Sequence, residues 1–223
     1  MFNINKRYKA IILDFEKTLV NLNIDWDPLR KTYSDIFKKY GFDIDYKSLK
    51  PIHEQTANQI RIARRLMSPK KIYSQLAEDL LLAQKKIEHR SLDRVVLFKD
   101  TKPFLKYVTA RGLKTAILTS NLSSTVKKVF SKFGILFDGF IIGREDVTYP
   151  KPDLQGIKKL LRKLDLDGKD CILIGDTDFD IAIGKKINSL TIFLKRDKSI
   201  NLSFVKPDIV ADSLSEIILI YIF

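Results

Sequence analysis

Two periodicities alternate along this chain, and that alternation limits its fold more than any other feature. Short apolar runs occupy 10–13, 115–118, 140–142, 171–174 and 190–194. Each run is short, partly β-branched and continuous rather than alternating, the pattern of strands buried on both faces. Helical patterns lie between them. Val126, Val129, Phe130 and Phe133 share one helical face behind a capping candidate at Ser123 or Ser124. Leu154, Ile157, Leu160, Leu161 and Leu164 do the same behind Pro152 and Asp153. Regular strand–helix alternation predicts an α/β fold, Rossmann-like, with a parallel sheet covered on both sides.

One stretch departs from this rule. From Leu22 to Phe98 the patterns are helical and no strand is evident. Leu29, Tyr33, Ile36, Phe37 and Tyr40 mark one helix, stopped by Gly41. Ile60, Ile62, Ala63 and Leu66 mark a second that ends before Ser68, and Ile72, Leu76, Leu80 and Ala83 a third. This reads as an all-helical insertion after the first strand, over 20–98, with 1–19 and 99–223 forming the sheet domain.

The 223 residues are 45% hydrophobic, enough for a real core, which excludes a disordered chain. The single cysteine, Cys171, permits no internal disulfide, and no Cys/His set has zinc spacing. No run approaches the ~20 apolar residues of a membrane span, and no secretory core stands at the start. The apolar 217–223 run is too short to span and is expected to be the buried end of a last helix. The expected setting is cytoplasmic, with no membrane partner. Net charge is +13, split +5 over 20–98 and +8 over the rest. A dedicated nucleic-acid surface concentrates charge, so nucleic acid is not the expected partner.

Ligands of open parallel sheets bind beyond the carboxyl ends of the strands. After the first run come Asp14, Phe15, Glu16, Lys17, Thr18 and Leu19, and after the second Thr119, Ser120 and Asn121. After the fourth come Gly175, Asp176, Thr177, Asp178, Phe179 and Asp180, while Pro150, Lys151, Pro152 and Asp153 precede the 154–164 helix. These four groups, in this order, resemble the motifs of the haloacid dehalogenase superfamily, as does the closing Asp208-Ile209-Val210-Ala211-Asp212 tail of its phosphoglycolate-phosphatase-like members. The spacings agree: Thr119 follows Asp14 by 105, Lys151 follows Thr119 by 32, and Asp176 follows Lys151 by 25. The helical insertion stands where this family carries its cap domain.

The resemblance implies a Mg²⁺-dependent phosphatase. Asp14 would be the nucleophile, forming an aspartyl-phosphate. Asp14, Asp176 and the Glu16 backbone carbonyl would offer oxygen ligands suited to Mg²⁺. Lys151 would supply a compact positive charge. Thr119, Ser120 and Asn121 would donate to phosphoryl oxygens, and Asp180 would orient Lys151 or a metal-bound water. The family's first motif is usually Asp-x-Asp, whose second acid is the general acid/base. Here that position is Glu16, with a similar intrinsic pKa, ~4.3 against ~3.9, and one more methylene. Lys17 replaces a frequent glycine.

The segment with Lys50, Pro51, Ile52, His53 and Glu54 resembles the loop through which such caps touch substrate, making His53 a substrate-binding candidate. A cap arginine among Arg61, Arg64 and Arg65 could favour a second anionic group. The expected partner is a small phosphorylated metabolite, and the expected state a monomer or homodimer. Three alternatives accompany this reading: phosphomutase chemistry, dehalogenation on the same fold, or a basic non-catalytic protein binding nucleic acid.

Overall fold

The computed structural model describes residues 8–44, 46, 52–67 and 70–221. The first elements are β1 (Ala10–Leu13), β2 (Val20–Asn21), α1 (Asp27–Lys39), α2 (Ile52–Leu66), α3 (Lys70–Ser91) and β3 (Val96–Leu97). Then come α4 (Thr101–Ala110), β4 (Lys114–Leu118), α5 (Ser123–Lys132), β5 (Phe140–Ile142) and α6 (Gln155–Leu164). The chain closes with β6 (Cys171–Gly175), α7 (Asp178–Lys186), β7 (Leu190–Leu194), β8 (Ile209–Ala211) and α8 (Leu214–Tyr221).

The main sheet has the order β5-β4-β1-β6-β7-β8, and every pairing in it is parallel. β1 lies between β4 and β6, with Leu13 opposite Ile117 and Ile174. Its side chains alternate between two cores: Ile11 and Leu13 face one, Ala10 and Ile12 the other. A strand buried on both faces needs an unbroken apolar run, which is what 10–13 supplies. Each fully buried large side chain contributes about 1.5–3 kcal/mol, so β1 is held firmly at the centre and its C-terminal end is a fixed point.

Helices α1, α2 and α3 have a core of their own, in which Leu29, Tyr33, Phe37, Ile60, Ala63, Leu76 and Leu80 are buried. Two local expectations for this stretch are corrected. Val96–Leu97 forms a strand, antiparallel to Val20–Asn21, in a two-stranded ribbon. Two-residue strands leave no periodicity to read, and this one shows only when β2 is placed beside it. The segment with His53 is not a loop from Ile52 onward but the start of α2; Lys50 and Pro51 lie outside the described residues.

A third correction concerns the start of α5. Ser123 and Ser124 lie inside the helix, and Leu122 occupies the N-cap position without a capping side chain. The orphan amides are satisfied from elsewhere: the Glu145 carboxylate accepts from Ser123 N at 2.8 Å and Ser124 N at 3.1 Å, the job a local cap would do. At the C-terminus Ile217 is buried while Leu219 is 68% exposed. Among the described residues no helix is long and apolar enough to cross a membrane.

Candidate active site

Three strand ends deliver the candidate residues to one edge. Asp14 follows β1, and its amide donates to Ile174 O at 2.9 Å, so the backbone is fixed before the side chain leaves the sheet. Thr119 follows β4 and is tied to β5 through Ile142 O at 3.0 Å. Asp176 follows β6. Gly175 before it is required by a close approach: a Cβ there would stand 2.4 Å from the Asp180 Cβ. Its absence lets the first turn of α7 fold back on the sheet. Thr177 caps that helix, with Asp180 N donating to its Oγ1 at 3.3 Å and its own amide donating to Asp180 Oδ2 at 3.2 Å. This reciprocal cap fixes the Asp180 carboxylate.

Lys151 closes the arrangement from the loop before α6. Its Nζ donates to Asp14 Oδ1 at 2.5 Å and Asp180 Oδ1 at 2.7 Å, and all three side chains are buried. Oxygens of Asp14, Asp176 and Asp180 lie within 4.8 Å of one another. Three carboxylates thus face one ammonium. Burial pushes Asp14 up to about 6 despite Lys151. Burial, then the Asp14 and Asp180 charges, push Asp176 well above the usual range. Burial works against the charged form of Lys151 too, but Asp14 and Asp180 outweigh it and keep the ammonium protonated. Asp176 forms no ion pair among the described residues. Such a cluster of hard oxygens, short of positive charge, fits a divalent cation.

Glu16 sits beside the cluster and lines one cavity with Asp14, Lys151, Asp176 and Asp180. Its Oε2 accepts from Leu22 N at 2.8 Å. Burial raises it to about 7, with that amide pulling the other way. Lys17 adopts φ 60°, the left-handed region that favours glycine, which gives a reason for the glycine frequent there in the family.

The Thr119 loop is held from the helical insertion, through contacts that the sequence reading missed. Glu88, fully buried in α3, accepts from Asn121 Nδ2 at 3.1 Å and Leu122 N at 3.0 Å. Gln84 Nε2 donates to Glu88 Oε1 at 2.7 Å and Ser120 O at 2.8 Å, and Tyr33 OH in α1 donates to Gln84 Oε1 at 3.1 Å. One N–H of the Asn121 side-chain amide is therefore taken by Glu88, while Thr119 Oγ1 donates to Asn121 Oδ1 at 3.1 Å. A signal was present: Leu76, Leu80, Gln84 and Glu88 stand four apart, so two polar residues continue a buried stripe. Glu88→Ala would strand up to three buried donors at about 1–3 kcal/mol each. The expected fall in thermal midpoint is roughly 10 °C; calorimetry showing less than a third of that would mean the loop holds itself.

Other candidates lie elsewhere. His53 falls in α2, but its side chain is outside the described residues. Arg61 donates to Asp153 Oδ2 at 2.6 Å, Arg64 donates to the Tyr149 hydroxyl at 3.1 Å, and both guanidinium groups pack on the Tyr149 ring. These two tie α2 to the loop that carries Lys151 and do not line the cavity. The arginine that does is Arg30 of α1. Asp153 also caps α6, accepting from Gln155 N at 2.8 Å.

The family described as haloacid dehalogenase-like hydrolase matches residues 11–194. A Clostridium perfringens protein whose name proposes a pyrophosphatase, PpaX, is 27% identical over 191 residues, 84% of either chain. A phosphoglycolate phosphatase of Colwellia psychrerythraea is 27% identical over 95 residues, 42% of each. Among solved structures, a hydrolase from Pseudomonas syringae aligns with TM-score 0.65 at 15% identity, covering 95% of this chain and 97% of its own. That likeness is one of fold.

Proposed function

The chain belongs to the haloacid dehalogenase-like hydrolases, and from that membership we propose that it is a phosphatase cleaving a small phosphorylated metabolite through an aspartyl-phosphate on Asp14. One observation supports this above the rest: Lys151 bonded to both Asp14 and Asp180 at the sheet edge, with Asp176 in the same cluster. The names of the relatives, pyrophosphatase and phosphoglycolate phosphatase, agree in reaction class. In this reading 20–98 is a cap over a core formed by 1–19 and 99–223.

The steps follow from the residues. Asp14 Oδ attacks phosphorus as the bond from phosphorus to the ester oxygen breaks, and Glu16 gives that oxygen its proton. Glu16, then a carboxylate, takes a proton from water, which attacks the phosphorus and returns Asp14 with free phosphate. A group held near neutral pH suits both transfers. Lys151 offsets the charge of the approaching phosphate, and Asp180 and Asp14 hold its ammonium in place; the Ser120 amide and the Thr119 hydroxyl, once its proton turns from Asn121 Oδ1, are the donors for phosphoryl oxygens. Mg²⁺ held by Asp14, Asp176 and the Glu16 carbonyl would supply the charge that lets a carboxylate approach an anion. The test is a screen of phosphorylated metabolites and p-nitrophenyl phosphate with Mg²⁺ and with EDTA. Phosphate release that EDTA abolishes is expected. Inertness toward every ester over a range of pH would end the phosphatase reading.

A further inference from the structure

The cavity beside Asp14 measures about 540 Å³, within the ~300–1,000 Å³ of pockets that enclose drug-sized ligands. That is more room than a diphosphate or a two-carbon acid occupies. Beside the polar cluster around Asp14 the cavity is lined by six large apolar side chains: Trp26 and Ile52 on the side of the helical insertion, and Phe179, Ile200, Leu202 and Phe204 from the sheet domain, with polar residues such as Arg30, Glu54 and Asn201 between them. Phe204 is 65% exposed and Ile200 43%, so part of this apolar lining is open to an incoming ligand.

This wall is built rather than loose. Asp178 Oδ1 accepts from Ser203 N at 2.9 Å and Phe204 N at 3.2 Å, and Oδ2 from Ser203 N at 2.9 Å. The Phe179 and Phe204 rings lie 6.0 Å apart at 50°. The wall is thereby pinned to the first turn of α7, two residues beyond Asp176. The cations lining the cavity, meanwhile, are engaged within the protein. Lys151 serves Asp14 and Asp180, Lys17 Nζ donates to Asn21 Oδ1 at 2.7 Å, and Arg30 Nε lies 3.7 Å from Asp27. A second anionic charge on the leaving group would share these cations with partners they already hold, whereas the apolar wall offers a ring no such competitor.

Building on the phosphatase reading, we propose that the favoured substrates are phosphate monoesters whose alcohol carries an aromatic ring or similar flat apolar group, seated against Phe179 and Phe204. Benzyl phosphate and ethyl phosphate release alcohols of comparable acidity, so their comparison isolates the ring. With Mg²⁺, kcat/KM is expected to favour benzyl phosphate by at least about tenfold, the yield of burying one ring, and to exceed that for phosphoglycolate and pyrophosphate. Phe204→Ala, at an exposed position that the fold tolerates, should cut the benzyl-to-ethyl ratio severalfold, and Phe179→Leu should do likewise. Equal kcat/KM for the two esters, or a ratio indifferent to both variants, would overturn the proposal and leave the phosphatase reading intact. If no ester is hydrolysed, that reading fails, and calorimetry with benzylphosphonate against ethylphosphonate still decides the subsite: equal affinities would overturn it.

Discussion

Asp14→Asn is expected to reduce Mg²⁺-dependent turnover by on the order of 10⁴-fold or more, since it removes the attacking oxygen while leaving the cavity in place. The fold should survive, for a reason visible in the electrostatics. Burial holds Asp14 at about 6, above its ordinary 3.8. The folded protein therefore binds this proton more tightly than the unfolded chain does. On Asp14's account, metal-free stability is highest below about pH 4, falls as pH rises to about 6, and is level beyond. Asparagine has no such slope, and its Oδ1 still accepts from Lys151. In EDTA the variant should unfold at the same temperature as the parent or higher at neutral pH, and its advantage should shrink on acidification. Residual turnover above about 1% of the parent would assign the nucleophile elsewhere.

The sheet was legible in the sequence because its strands read as short continuous apolar runs, broken only by the buried threonines Thr115 and Thr191. Runs 10–13, 115–118, 140–142, 171–174 and 190–194 all fall within strands of the sheet. β3 and β8 were not read, for the opposite physical reason. Val96 and Val210 are each about half exposed, so their short strands carry no continuous apolar signal. Asp14, Thr119, Lys151, Asp176 and Asp180 could be gathered because each follows a strand or precedes a helix at the same edge. Glu88 and Gln84 could not, since they reach the Thr119 loop from α3, across more than thirty residues of chain. Contacts between separate cores depend on how the two bodies dock, and no local pattern records that. Arg30 lining the cavity in place of Arg61 or Arg64 is the same lesson at the scale of one side chain.

Glu16→Gln should slow the hydrolysis of esters with poor leaving groups by roughly a hundredfold or more, the usual yield of a positioned acid/base. The substitution keeps size and polarity: glutamine's amide oxygen can still accept from Leu22 N as Glu16 Oε2 does now. What disappears is the titrating proton. With that contact made, Oε1 is the oxygen left for proton transfer. Because burial places Glu16 at about 7, the first chemical step on a poor leaving group needs the protonated form and should weaken as pH rises through about 7. The glutamine variant should lose that limb of the profile. p-Nitrophenyl phosphate, whose leaving group needs little protonation, should suffer much less in the first step. Breakdown of the aspartyl-phosphate still needs a base, so rapid mixing should show a burst of nitrophenol followed by a slow phase. Glu16→Asp restores the family's usual acid and should retain activity. Equal rates for Glu16→Gln and the parent on every ester would reduce Glu16 to a structural position. The proton would then have to travel by another group. Asp14 and Asp180 are bonded to Lys151, Asp176 belongs to the candidate metal cluster, and Asp178 accepts from Ser203 N and Phe204 N, which leaves Glu54 as the cavity carboxylate to test next.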